Sequence, residues 1–197
     1  MGRILSKKFF ASDTLLVAKD MLGKFLVRRI GRKVIRAIIT EVEAYKGFED
    51  KASHAHRGKT KRNEVMFGPP GYWYVYLTYG MHWMLNIVTE KTHYPAAILI
   101  RGVATDADQS GSKNGLIQII NGPGRVTKFF KIDGRLNKKP ANRASGLWIE
   151  DGPTRRNFSE GGGVRIKQSE IKKSPRIGVD YAGPVWGKKH YRFYINL

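Results

Sequence analysis

Two apolar, β-branched runs, Lys24 to Ile30 and Lys33 to Glu43, flank a Gly31-Arg32 pair. Runs of this kind on either side of a tight turn predict a β-hairpin. Simple alternation puts Ile35, Ala37, Ile39, Glu41 and Glu43 on one face of the second strand, and Val34, Arg36, Ile38, Thr40 and Val42 on the other. The strand then carries two carboxylates to its C-terminal end. A further strand starts at Tyr72, with Tyr72, Tyr74 and Tyr76 on one face and Trp73, Val75 and Leu77 on the other, and ends at Tyr79-Gly80. Leu85 to Val88, Ala96 to Val103, Val164 to Ile171 and Tyr191 to Ile195 read as additional strands.

Helices are few. Ser12 or Asp13 caps one that turns Leu15, Leu16, Val17, Met21 and Leu22 inward and stops at Gly23. Arg125 to Ile132 forms another after the Asn121-Gly122-Pro123-Gly124 turn. Without βαβ alternation, internal repeats or a linker, the expectation is one α+β domain over residues 1–197, built on a mostly antiparallel sheet with helices around it.

The 197 residues include 36 Lys and Arg against 16 Asp and Glu, a formal net charge of +20. So large an excess repels itself in the compact state and points to a polyanionic partner, nucleic acid ahead of an anionic membrane surface. With no Cys, disulfides, thiolate nucleophiles and Cys-based zinc or iron–sulfur sites are excluded. No signal peptide is expected, since no long apolar stretch follows the basic N-terminal residues. Gly68 to Thr89 carries no charged residue, but its prolines, glycines and tyrosines mark it as core and site rather than a membrane span. Gly2 and Ser6 fit an acylation pattern, which leaves a peripheral membrane protein as a rival reading.

Glu43 lies where an apolar strand meets a polar loop, well placed to take a proton from water; the alternative is a surface ion pair. Its neighbour Glu41 raises the acid and base pair of a sugar hydrolase. His54 and His56, near Glu49 and Asp50, raise a metal site, although no Cys or helical His pair completes the ligand set. The group Tyr45, Tyr72, Trp73, Tyr74, Tyr76, Tyr79 and Trp83 exceeds what one strand's core face needs. Aromatic faces stack on nucleobases, and attract a cationic alkylated base more strongly. Arg125 and Lys128, after the Gly122-Pro123-Gly124 turn, and Arg62 in the polar loop are candidate phosphate contacts.

The segments Glu41-Val42-Glu43-Ala44-Tyr45, Ala52-Ser53-His54, Arg62-Asn63, Met66-Phe67, Tyr74 to Met81, Asn86, Leu99-Ile100-Arg101 and Asn121 to Arg125, in that order, resemble the alkyladenine (3-methyladenine) DNA glycosylase family, the single-domain type also found in mammals. The resemblance runs from about Leu15 to Tyr194; the stretch between Arg101 and Asn121 is distinctive and Trp148 to Ile171 matches poorly. It implies a curved antiparallel sheet, a flipped nucleotide and hydrolysis of the N-glycosidic bond to leave an abasic site. Glu43 resembles the general base and Arg101 the residue supporting it and the water. Tyr45 and Tyr76 resemble the walls of the base pocket, with His54 at the base or its backbone. Asn86 resembles the residue that crowds the amino group of normal guanine, and Tyr79 the wedge that enters the duplex.

The substrates implied are 3-methyladenine and 7-methylguanine, with hypoxanthine and ethenoadenine as further candidates. The resemblance requires no metal, nucleotide cofactor or Schiff-base lysine, and no obligate protein partner. The expected partner is double-stranded DNA with a damaged purine, bound by a monomer in the cytoplasm or nucleoid, or in the nucleus of a eukaryote. An RNA-binding module would also account for charge and tyrosines, but leaves Glu43 without a task.

Overall fold

Asp13 accepts hydrogen bonds from the backbone N–H groups of Leu15 and Leu16 and so caps the helix Thr14–Met21. Thr14, Val17, Ala18 and Met21 form its buried stripe. Leu16, expected inward, is 52% exposed, because a position two residues beyond Thr14 falls on the far side of a 3.6-residue turn. The computed structural model describes residues 2–105, 117–151 and 166–196.

The expected hairpin is formed by β1 (Phe25–Ile30) and β2 (Lys33–Lys46), in a register that ends at Ile30 opposite Lys33. The other described strands are β3 (Trp73–Thr78), β4 (His82–Val88), β5 (Ala96–Thr105), β6 (Gln118–Asn121), β7 (Leu147–Glu150), β8 (Lys172–Ser174) and β9 (Arg192–Tyr194). They make one curved, open sheet in the order β3-β4-β5-β2-β1-β7, with β6 beside β5, and β9 between β2 and β8. Each pairing is antiparallel. β2 is central: β5 covers one edge, while β1 and then β9 cover the other.

Alternation along β2 fails at one point, and that point shapes the site. Ile39 pairs with Val103 and Glu41 with Gly102, which leaves Thr40 surplus; Val42 then pairs with Ile100, which leaves Arg101 surplus. Each strand thus bulges by one residue, and the register recovers beyond. A bulge turns the following side chains over. Ile35, Ala37 and Ile39 belong to the main core, but so do Val42 and Ala44. The expectation that Glu41 and Glu43 share a face with Ile35, Ala37 and Ile39 is therefore corrected: they share a face with each other, on the opposite side from that core. Gly102 permits this, since a Cβ there would sit 2.9 Å from both Glu41 Cβ and Thr40 Oγ1.

The main core fills the other side of the sheet, where Trp73, Val75, Leu85, Ile87, Ile98 and Ile100 meet Val17 and Met21 of the capped helix and Val126 and Phe130 of the helix Pro123–Phe129 and its C-cap. That second helix begins two residues earlier and ends three earlier than expected, because Pro123 suits a first helical turn. The strand expected over Val164 to Ile171 is not found in its described part: Gln168–Glu170 is a 3-10 turn, and the strand follows at Lys172–Ser174. Val164 itself lies outside the described residues. No described helix is long and apolar enough to cross a membrane.

Candidate active site

The reversed face of β2 presents Glu43 and Tyr45. Glu43 is 0% exposed, yet each carboxylate oxygen has a donor: the Tyr45 hydroxyl donates to Oε2 at 2.9 Å, and the Ile177 backbone N–H donates to Oε1 at 2.8 Å. Arg101, the surplus residue of β5, puts its Nε 3.1 Å from Glu41 Oε1 and 3.3 Å from Glu43 Oε1. Arg192 adds a second cation to Glu41 at 3.2 Å. Burial pushes the Glu43 carboxyl above the usual range; Arg101, the Ile177 N–H and the Tyr45 hydroxyl pull it back, and Glu41 adds to the rise. A buried carboxylate this well held is poised to accept a proton.

Tyr45 leads from that carboxylate into a recess lined by Tyr45, Ala52, His54, Met66, Tyr74, Tyr76, Asn86, Ala97 and Tyr181. β3 supplies Tyr74 and Tyr76, two apart on one strand face, while Trp73 and Val75 go to the core behind. Their rings lie 5.1 Å apart, and Tyr76 lies 4.7 Å from His54, edge to face. His54 Nδ1 is bonded to the Tyr74 hydroxyl at 2.9 Å. Desolvation on its packed side, and then Arg62, hold the His54 imidazole below its ordinary pKa. Burial pushes Tyr76 up to about 12, with a nearby Arg62 opposing. At neutral pH the recess therefore presents a neutral imidazole and intact phenols, none of which repels a cationic guest. Asn86 is buried, and its Nδ2 donates to the Tyr74 carbonyl at 3.1 Å, which fixes the amide against the recess.

β3 and β4 are joined by Tyr79-Gly80-Met81. Tyr79 adopts φ +49° and Gly80 φ +68°, and Tyr79 is 89% exposed at the tip. Left-handed backbone is uncommon outside glycine, and here it turns the chain sharply at the tip of the hairpin. Arg62 is turned back onto this hairpin: it donates to the Leu77 carbonyl at 3.2 Å and lies over Tyr76. Arg125 and Lys128 are exposed on the helix Pro123–Phe129, on the other side of the sheet from the recess, where Gly124 abuts His82 at the base of the hairpin. Glu43, Arg101, Tyr45, His54, Tyr76 and Asn86 are thus brought together, whereas Tyr79, Arg125 and Lys128 stand apart from the recess.

His56 and Asp50 do not join in a ligand set. His56 Nδ1 bonds the Phe48 carbonyl, and Asp50 is buried against Arg176. No cluster of three metal-binding side chains occurs among the described residues.

A family model described as methylpurine-DNA glycosylase (MPG) matches residues 8–197. The chain belongs to that family. A protein of Methanocella arvoryzae is 43% identical over 97% of this chain and 92% of its own length. One of Legionella pneumophila strain Corby is 40% identical over 98% and 95%. One of Carboxydothermus hydrogenoformans is 37% identical over the same shares. Each carries the name "Putative 3-methyladenine DNA glycosylase".

Sequence reasoning missed part of the candidate site. Ile177 acts through its backbone N–H, which no side-chain pattern reveals. Tyr181 lines the recess with its hydroxyl on the Ala52 carbonyl at 3.0 Å, and Met81, 71% exposed, shares the hairpin tip with Tyr79. The aromatic alternation of β3, already used for Tyr76, was the available signal for the hairpin that carries Met81.

Proposed function

We propose that this DNA glycosylase extrudes an alkylated purine nucleotide from duplex DNA into the recess and hydrolyses its N-glycosidic bond, with Glu43 as general base. The observation that carries the reading is the fully buried Glu43, held by Tyr45, Ile177 and Arg101 directly behind an aromatic recess. The C1′–N bond breaks and its electron pair leaves with the base. Water oxygen bonds to C1′ as its proton passes to Glu43. The carboxylate also stabilises the oxocarbenium-like sugar. The product is an abasic site in an uncut strand.

A purine made cationic by methylation leaves without being protonated, so selection falls to the recess. Tyr45, Tyr76 and His54 offer π faces and no positive charge, which suits 3-methyladenine and 7-methylguanine. Asn86, fixed by the Tyr74 carbonyl, crowds the amino group of normal guanine. Hypoxanthine and ethenoadenine lack the charge and are cut more slowly. Tyr79 fills the gap in the duplex, while Arg62, Arg125 and Lys128 neutralise phosphates around it. The enzyme works as a monomer on the genome, in the cytoplasm and nucleoid of a prokaryotic cell.

Release of bases from matched duplexes carrying each of the four lesions tests this, with Glu43→Gln alongside. Rapid excision of the two cationic bases, abolished in the variant, is expected. Retained excision by Glu43→Gln would reject the general base. Binding to RNA with no excision from any duplex would reject the enzyme reading altogether.

A further inference from the structure

Behind the recess lies a charged pair that the proposed chemistry does not use. Arg176 and Asp50 are each 0% exposed in their side chains, and they meet fork to fork, Nη1 to Oδ2 at 2.6 Å and Nη2 to Oδ1 at 2.8 Å. Removing two ions from water is costly, and apolar residues of the same volume often stabilise a fold as well or better. Stability alone therefore gives little reason for such a pair.

Its contacts give a better one. Arg176 Nη1 also donates to the Ala44 carbonyl at 2.9 Å, between Glu43 and Tyr45, and Nη2 to the Trp186 carbonyl at 3.3 Å. Asp50 accepts from the backbone N–H of Lys46 at 3.2 Å and of Ala52 at 3.1 Å. The guanidinium lies 4.8 Å from the Tyr45 ring centroid and 5.3 Å from that of Tyr191. The residue after Arg176 is Ile177, whose N–H holds Glu43. One pair thus ties together the end of β2 with Glu43 and Tyr45, the loop with Ala52 and His54, and the C-terminal segment with Ile177 and Tyr181.

We infer that Arg176 and Asp50 are positioning residues for excision, fixing the Ile177 N–H and the Tyr45 hydroxyl on Glu43 and docking the His54 loop against them. The inference rests on Glu43 being the general base. The pairing also suits a cationic guest, because Asp50 neutralises an Arg176 charge that would otherwise repel the alkylated base through the Tyr45 ring.

Arg176→Lys tests this: it keeps the charge but loses the planar fork that spans Asp50 and Ala44. Where groups must be held to within an ångström, misplacement costs on the order of 100-fold. Single-turnover excision should therefore fall between about 10-fold and 100-fold, with the affinity for undamaged duplex unchanged. The acid limb of the pH–rate profile should move to higher pH as Glu43 loses its donors. The groups facing Glu43 that could also move that limb are Glu41 and Tyr45 on β2, Arg101 on β5, Arg192 opposite it on β9, Tyr76 on β3 and Tyr181; all are retained in the variant.

The paired variant Asp50→Asn with Arg176→Gln removes both buried charges together, and should show the same loss with a normal melt. A lowered melting temperature with wild-type excision and an unmoved acid limb, measured below the melt, would overturn the inference. So would failure of both variants to fold, which would make the pair a folding determinant instead. Glu43→Gln separates the two readings. If it stays active, the general base assignment has failed. If it is inactive while Arg176→Lys excises normally, only the positioning role has failed.

Discussion

Tyr45 donates its hydroxyl proton to the carboxylate of Glu43, two residues before it on the same strand, and the same ring lines the recess. The buried carboxylate and the wall of the recess are therefore one unit. Burial and the neighbouring carboxylate push the Tyr45 phenol well above its ordinary pKa, so it remains a donor throughout the working pH range.

With Glu43 as the proposed general base, the pH dependence of excision should follow its carboxyl. Its carboxyl is raised by burial, so the acid limb of single-turnover excision should lie above the ordinary carboxylate range, with activity gained as pH rises through it. Glu43→Gln should reduce excision by about 100-fold or more while leaving duplex binding intact. Glu41→Gln should stay within a few-fold of the wild type, because the amide oxygen still accepts from Arg101. It removes a negative neighbour, so its acid limb should move to lower pH.

Stability should move the other way. A carboxyl whose folded pKa exceeds its unfolded one stabilises the fold below the unfolded pKa, and that contribution is lost as pH rises through the folded pKa. Ionised at neutral pH, Glu43 therefore supports the fold less than its protonated form does. Glu43→Gln should melt above the wild type at pH 7, and the gap should close on acidification. An unchanged or lower melting temperature at pH 7 would count against the buried, desolvated state of the carboxyl.

Gly102 tests the double bulge. In Gly102→Ala the added methyl meets Glu41 and Thr40 at 2.9 Å, and overpacking of this kind costs about 1–3 kcal/mol. Excision should fall with stability, since the displaced atoms belong to Glu41 and hence to the anchor of Arg101. Denaturant melts and single-turnover rates on the same preparation check both effects.

The sequence made the β1–β2 hairpin, the face of β3 that carries Tyr74 and Tyr76, and the acid Glu43 legible, because each rests on local alternation or a local turn. It misled on the face of β2. Alternation assumes an unbroken ladder, and the surplus Thr40 and Arg101 leave no gap in a hydrophobic pattern; the lone Gly102 inside a β-branched strand was the one available sign. Arg176 was invisible for another reason. It meets Asp50 across 126 positions of chain, a purely tertiary contact that no window of sequence encodes.

Tyr79 should matter in proportion to the strength of the duplex. A wedge holds the extruded state, so Tyr79→Ala should slow excision from a fully paired duplex far more than from a destabilised mismatch. Pocket variants such as Tyr76→Ala should lose activity in both. Equal rates for Tyr79→Ala and the wild type on paired DNA would remove the wedge from the mechanism.

The net charge of +20 predicts a steep dependence of undamaged-duplex binding on salt. With about five phosphates neutralised, the log–log slope should be near −4 to −5. Replacing Arg125 or Lys128 should shallow it by about one each. A flat dependence would remove the phosphate contacts.

The paired offsets in β2 and β5 also determine which changes of length the chain can survive. Because Thr40 and Arg101 each add one residue, their displacements cancel, and Val42 to Lys46 meet Ile100 to Ala96 in the register set at Ile38 and Ile39. Deleting Thr40 alone would leave the surplus at Arg101 uncancelled. Arg101 would then stand as an ordinary one-residue bulge: β2 would alternate without a break from Ile35, and Glu43 and Tyr45 would keep the face they have, opposite Val42 and Ala44. Shortening β2 at Thr40 is thus the tolerable change, whereas shortening β5 at Arg101 removes the cation that ties Glu41 to Glu43.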